Sequence, residues 1–238
     1  MNSLISRGYF NVSRTIARTM VRIITTCLLC LSAFRLCADD ASKHAGAQDP
    51  ALRRELSQRT KTDQDARITL VKWMARQGLK NGVNMDQLSE QQRAEFKKLA
   101  ATANKADEEN TTWLKQVVDD RGWPTRTLVG NDGASAAWLL VQHADADPKF
   151  QRKCLDLMVA LPKNEVSQTD IAYLTDRVLL AEGKKQLYGT QCSMVEGKLV
   201  PRPLEDKANV DKLRKEVGLP PLAEYIKSSE RIYTGKSN

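Results

Sequence analysis

Between Glu90 and Asp120, apolar side chains return at steps of three and four residues: Phe96, Leu99, Ala103, Ala106, Trp113 and Val117, with Asn110 in the one remaining place. That spacing is one face of an α-helix, and Ser89 followed by Gln92 supplies a capping box at its start. Thirty residues of helix span about 45 Å, longer than a small core can bury without an equally long neighbour. The segment upstream provides one. From Pro50 to Gly78, Leu52, Leu56, Ala66, Leu70 and Trp73 follow the same period, so the two are expected to form an antiparallel helical hairpin. Asn110 then sits on a buried stripe and requires a hydrogen-bond partner.

Further helical segments follow. Arg121-Gly122 ends the long helix and Trp123-Pro124 opens a loop, with the next helix expected from about Asp132 to Ser135 and carrying ASAAWLLVQHAD. Asp147-Pro148 has the order of an N-cap and first helical residue, before Phe150, Cys154, Leu157, Met158 and Leu161. Ser167 caps a helix through Ile171, Leu174 and Val178 that stops at Gly183. Leu187–Val195 and Lys198–Val200, split by Glu196-Gly197, have the pattern of a short β-hairpin. Two short helices around Leu213 and Leu222 close the chain. The expectation is a mostly α single domain over 50–238, preceded by a flexible lead-in at 39–49.

Residues 1–38 have a different character. Arginines precede the apolar run IITTCLLCLSAF, and small residues then lead to Asp39-Asp40, the order of a secretory signal peptide cleaved after Ala38. The run is too short to span a bilayer comfortably. Met20 would begin a more compact leader than Met1, and an uncleaved N-terminal anchor is the alternative to export into the periplasm or medium. Five of the 37 basic side chains and none of the 29 acidic ones lie in this leader, which leaves a surplus of only three in the remainder. The net charge of +8 therefore gives no support to nucleic-acid binding. Three of the five cysteines also belong to the leader, leaving Cys154 and Cys192 either to pair or to remain buried thiols.

GxGxxG, Walker A, HExxH, GxSxG and zinc-type cysteine pairs are absent, so no cofactor and no metal is expected. His143, Asp145 and Asp147 are too few for a specific metal signal, and Asp147 already has a role as N-cap. The polar interruptions of the helices carry what chemistry there is. His143 is the candidate general base or acid, with Asp145 or Asp176 to orient it. Asp63, Arg67, Asn110, Gln142, Arg177, Tyr188 and Gln191 are candidate ligand-binding residues, and of these Asp63, Arg67, Asn110, Arg177 and Gln191 are expected to gather with His143 and Asp176 around one polar cavity. Burying such groups separately would cost about 1 to 3 kcal/mol for each one left unsatisfied. Arg177, Tyr188 and Gln191 suit a polar or anionic small molecule or polymer. The expectation is an exported hydrolase-like enzyme with no nucleophile assigned, and the alternative is a non-catalytic helical ligand-binding or protein-interaction domain that uses the same residues. Membrane contact is expected only through an uncleaved leader.

DQDAR (Asp63 to Arg67), GWP (Gly122 to Pro124), LVG (Leu128 to Gly130), AWLLVQHAD (Ala137 to Asp145), AYLTDRV (Ala172 to Val178) and QLYGTQ (Gln186 to Gln191) together resemble a bacterial family of exported and cytoplasmic proteins classed as a domain of unknown function. The resemblance runs from about Asp63 to Tyr225. It implies which residues matter and no particular activity.

Overall fold

The computed structural model describes residues 46–79, 83–195 and 198–234. The leader, with its three cysteines, lies outside them. The fold is mostly α, seven helices with a small two-stranded antiparallel sheet among the described residues. No described helix is long and apolar enough to cross a membrane.

Helix α1 spans Pro50–Arg76 and α2 spans Glu90–Arg121, with a turn of 3-10 helix, Met85–Gln87, between them. Asp49 caps α1 by accepting from Leu52 N at 2.9 Å, and Pro50 occupies its first turn, where no helical N–H is required. The two residues before α1 are already tied down. Gln48 N and Asp49 N donate to the carbonyls of Thr127 and Leu128 at 3.3 and 2.8 Å, and Asp49 pairs with Arg121. The capping box of α2 forms as its sequence predicts, with Ser89 and Gln92 bonding reciprocally.

The long helices pack against one another, but their buried lines are rotated from the expected ones. In α2 the buried residues are Phe96, Ala100, Ala103, Asn110, Leu114 and Val118, while Leu99, Ala106, Trp113 and Val117 are half-buried flanks. In α1 they are Leu52, Leu56, Thr60, Asp63, Arg67, Leu70 and Met74. The aromatic residues had drawn the predicted stripe toward themselves. Trp113 instead lies at the edge with the Arg59 guanidinium 4.4 Å above its ring, where the cation covers the indole face.

Helix α3, Arg126–His143, starts earlier than the expected Asp132–Ser135. Thr125 caps a single turn, and Gly130 then turns the chain at φ +76° before the buried run that ends at His143. Gly133 lets the two parts close up, since a Cβ there would lie 2.7 Å from Val129 Cβ. Helix α4 (Pro148–Val159) is capped by Asp147, which accepts from Phe150 N at 3.0 Å and pairs with Lys115. Ser167 caps α5 (Gln168–Ala181) as expected, and α4 and α5 pack together.

Strand β1 (Cys192–Val195) pairs antiparallel with β2 (Lys198–Pro201), Cys192 opposite Pro201 and Val195 opposite Lys198. Helices α6 (Val210–Glu216) and α7 (Leu222–Thr234) complete the fold, α7 lying against β2. Tyr225 of α7 meets Tyr173 edge-on with ring centroids 6.2 Å apart, and Tyr173 meets Trp138 at 6.0 Å, a line of rings joining α7, α5 and α3. Cys154 and Cys192 are unpaired buried thiols, and burial pushes both up to about 12.

Candidate functional site

The buried stripes of α1 and α2 turn polar at the same level, and there the two helices exchange charge. Asp63 and Arg67 lie one turn apart on α1, and the Arg67 Nε–H donates to Asp63 Oδ1 at 3.1 Å. A second Arg67 N–H reaches across to Asp107 of α2. The last turn of α3 closes this pair from above: the ring of His143 sets Nδ1 3.0 Å from Asp63 Oδ2, and Gln64 donates to the same oxygen at 2.8 Å. Side-chain oxygen or nitrogen atoms of Asp63, Asp107 and His143 all fall within 4.8 Å of one another.

A second ion pair adjoins the first. Arg177 of α5 donates from Nε to Gln142 Oε1 at 2.9 Å and from one terminal nitrogen to both oxygens of Asp145 at 2.8 and 3.0 Å. Gln151 of α4 bridges it to the end of α3, its Nε2 donating to Asp145 Oδ1 and to the carbonyls of Val141 and Gln142 at 3.2, 3.1 and 3.3 Å. Both carbonyls belong to the last turn of α3, where Ala144 N also donates to Val141 O at 3.1 Å, and Gln151 gives each of them a side-chain donor. One polar centre thus joins Asp63, Arg67, Gln142, His143, Asp145 and Arg177, all expected at the site, with Asp107 and Gln151, which the sequence reading missed. Asp107 sits in the rotated α2 stripe between Ala103 and Asn110, so a one-residue shift of the predicted face finds it. Gln151 follows the apolar Phe150 and had no comparable signal.

The electrostatics give each group a distinct state. Burial pulls the His143 imidazole below its ordinary value, and nearby Arg67 and Arg177 act in the same direction against Asp63. The ring is therefore neutral, with Nδ1–H donating to Asp63 and Nε2 left as a lone-pair acceptor. For Asp63, burial would raise the carboxyl, but His143, Arg67 and Gln64 outweigh it and hold it below the usual range. Burial raises Asp107 to about 7, helped by the charges of Asp63 and Asp145 and opposed by Arg67. Asp145, also raised by burial, is brought below its ordinary value by Arg177.

The remaining predicted site residues lie in other arrangements. Asp176 faces the loop after α5 and not His143: its oxygens accept from the backbone of Leu187, Tyr188 and Thr190 at 2.7, 3.0 and 2.8 Å and from the Thr190 hydroxyl at 2.9 Å. Adjacent residues on a helix point about 100 degrees apart, which is why Arg177 serves one cluster and Asp176 the other. Tyr188 belongs to the loop through its backbone, and Gln191 Nε2 donates to Thr190 Oγ1 at 3.2 Å. Asn110 accepts from Arg59 at 3.3 Å, one turn along from Asp107. The carboxylate that orients His143 is thus Asp63, in place of the expected Asp145 or Asp176.

A helical domain with a buried histidine–carboxylate pair linked to two arginine–carboxylate pairs is the class that this geometry defines. The chain belongs to DUF6624, a family of unknown function whose model matches residues 50–238. No curated protein and no solved structure matches it.

Proposed function

We propose that the chain is an enzyme of hydrolytic type in which His143 Nε2 takes a proton from an attacking water and Asp63 holds the ring. The observation that carries this reading is the division of the imidazole. Nδ1 is bound to a buried carboxylate, while Nε2 is buried without a hydrogen-bond partner among the described residues. A carboxylate on Nδ1 fixes the tautomer and supports the imidazolium formed when Nε2 is protonated. Gln142, Asp145 and Arg177 would form the wall against which substrate is placed. The enclosure of Nε2 favours a second reading, a non-catalytic helical domain that binds a polar ligand with the same residues.

Turnover of a panel of chromogenic esters, amides, glycosides and phosphate esters distinguishes the two. Activity on one class, abolished in His143→Ala and strongly reduced in Asp63→Asn with the melting temperature nearly unchanged in the former, supports catalysis. No turnover by the wild-type protein, with His143→Ala acting mainly by lowering the melting temperature, leaves the binding or structural reading.

We also propose that the protein is exported, on the strength of the arginine-bearing, apolar and small-residue order of residues 1–38.

A further inference from the structure

The polar centre contains three carboxylates, Asp63, Asp107 and Asp145, against two guanidinium groups, Arg67 and Arg177, while His143 is neutral. With all three carboxyls ionised, one negative charge is in surplus. Arg59, one turn before Asp63 on α1, is engaged with Glu55 at 2.8 Å and does not redress it. The surplus also has a direction. The two guanidiniums are buried, with side-chain exposures of 2% and 9%, whereas the carboxylates that reach the surface are Asp107 at 18% and Asp145 at 28%. An incoming group meets acid first.

Three buried atoms beside these carboxylates have no hydrogen-bond partner among the described residues: His143 Nε2, Gln151 Oε1 and Gln142 Nε2. Their polarity is fixed by what the other half of each side chain does. His143 Nδ1–H is used on Asp63, so Nε2 accepts; Gln151 Nε2 is used on Asp145 and two carbonyls, so Oε1 accepts; Gln142 Oε1 is used on Arg177, so Nε2 donates. Two of the three are acceptors, and a buried acceptor left unsatisfied is costly. Acid at the rim and acceptors behind it complement a group that carries positive charge and several N–H donors. An anion would face Asp107 and Asp145 while both guanidiniums already hold carboxylates.

We propose that this centre binds an ammonium or guanidinium group of its ligand between Asp107 and Asp145, with Gln151 Oε1 as the inner acceptor and the His143 Nε2 lone pair left for the attacking water. This rests on the reading of the centre as a ligand site and names its ligand class as cationic, in place of the polar or anionic one suggested by sequence. Burial is the main cause of the rise of Asp107, and the charges of Asp63 and Asp145 add to it, as they would to the attraction of a cation.

Isothermal titration of the full chain at low ionic strength, with 1,4-diaminobutane and methylguanidinium as probes, tests the inference. Phosphate, acetate and Mn²⁺ are the comparison titrants. Saturable binding of at least one organic cation, weakened about tenfold or more in Asp107→Asn and Asp145→Asn but unchanged in Glu90→Gln, is expected, a loss of the size carried by one charged contact. Circular dichroism confirms that each variant is folded. Failure of both organic cations to bind the wild-type protein overturns the proposal, as does binding that both variants leave unchanged. Binding of Mn²⁺ without either organic cation also overturns it and makes Asp63, Asp107 and His143 an inorganic cation site. Catalysis is judged separately. Cation binding without turnover keeps this inference and removes the hydrolytic one, and turnover lost in His143→Ala without cation binding does the reverse.

Discussion

Asp176 and Arg214 hold the 186–191 loop from opposite sides, one through its amide hydrogens and the other through a carbonyl. The Asp176 carboxylate takes the N–H groups of Leu187, Tyr188 and Thr190, while the Arg214 guanidinium donates to the carbonyl of Tyr188 at 2.6 Å and lies 4.9 Å from the Tyr225 ring centre. The motif that stands out most in the sequence, QLYGTQ, is thus a junction that ties α5 to α6 and α7.

Asp176→Asn should lower stability by about 2 to 3 kcal/mol, because charge-assisted bonds become neutral ones and one amide half presents a donor to donors. Chemical denaturation measures the loss, and limited proteolysis should show new cleavage between 186 and 191. A stability within about 0.5 kcal/mol of wild type would contradict the anchoring role.

At Gly189 the backbone has φ +70°, and an added Cβ would lie 2.9 Å from Leu222 Cδ1. Gly189→Ala is expected to cost about 1 to 2 kcal/mol from the left-handed backbone alone, with more from the contact with α7. The same substitution at Gly78, also at positive φ but with nothing within 4 Å, should show only the backbone part. Comparing the two melting temperatures separates strain from collision.

Asp107 makes stability depend on pH in a stated direction. Its carboxyl is raised from 3.8 to about 7 in the folded protein, so between those values the folded state binds the proton that the unfolded state has released. Its contribution is therefore fully present below about pH 4 and is lost as pH rises through about 7. His143 acts oppositely. Its lowered value means that the unfolded chain takes up a proton first, so stability falls as pH drops below 6.5. In Asp107→Asn the first contribution is removed, and the melting temperature of the variant relative to wild type should rise from pH 4 to pH 8. A constant difference across that range would show that Asp107 titrates normally.

Cys154 and Cys192, unpaired and with thiols at about 12, should resist a thiol reagent in the native protein at pH 8. If the leader is removed after Ala38, the exported protein should begin at Asp39 by N-terminal sequencing and titrate two thiols, only after denaturation. Five thiols, or rapid native labelling of either cysteine, would count against one or the other statement.

Helix identity and order were legible in the sequence because they depend on local interactions. The capping box at Ser89 and Gln92, Asp147-Pro148 and Ser167 each satisfy backbone groups within three or four residues, and these helices start where the caps stand. Glu196-Gly197 likewise marked the separation of two strands. The exception is local as well: at Gly130 a residue in the left-handed region joins a short turn to a long helix, and sequence gave no sign that Thr125 would begin helix before it.

The candidate site was legible as a set of polar residues in apolar helices, but not as a set of partners. Asp63, His143, Asp176 and Arg177 could be named singly because they stand among apolar helical residues, Asp145 because it follows His143, and Gln191 because it belongs to a polar loop. Which carboxylate meets His143 depends on the rotation of α1, α2 and α3 about their own axes, and one residue of rotation replaces Ala106 by Asp107. That rotation is set by how the side chains of all three helices interlock, a property of the assembled core that no single helix contains. Sequence by itself determined the helices, their caps and the residues that must find partners on burial; tertiary packing alone decided that Asp63 holds His143, that Asp145 holds Arg177 and that Asp176 serves the loop, because those contacts join segments up to 80 positions apart.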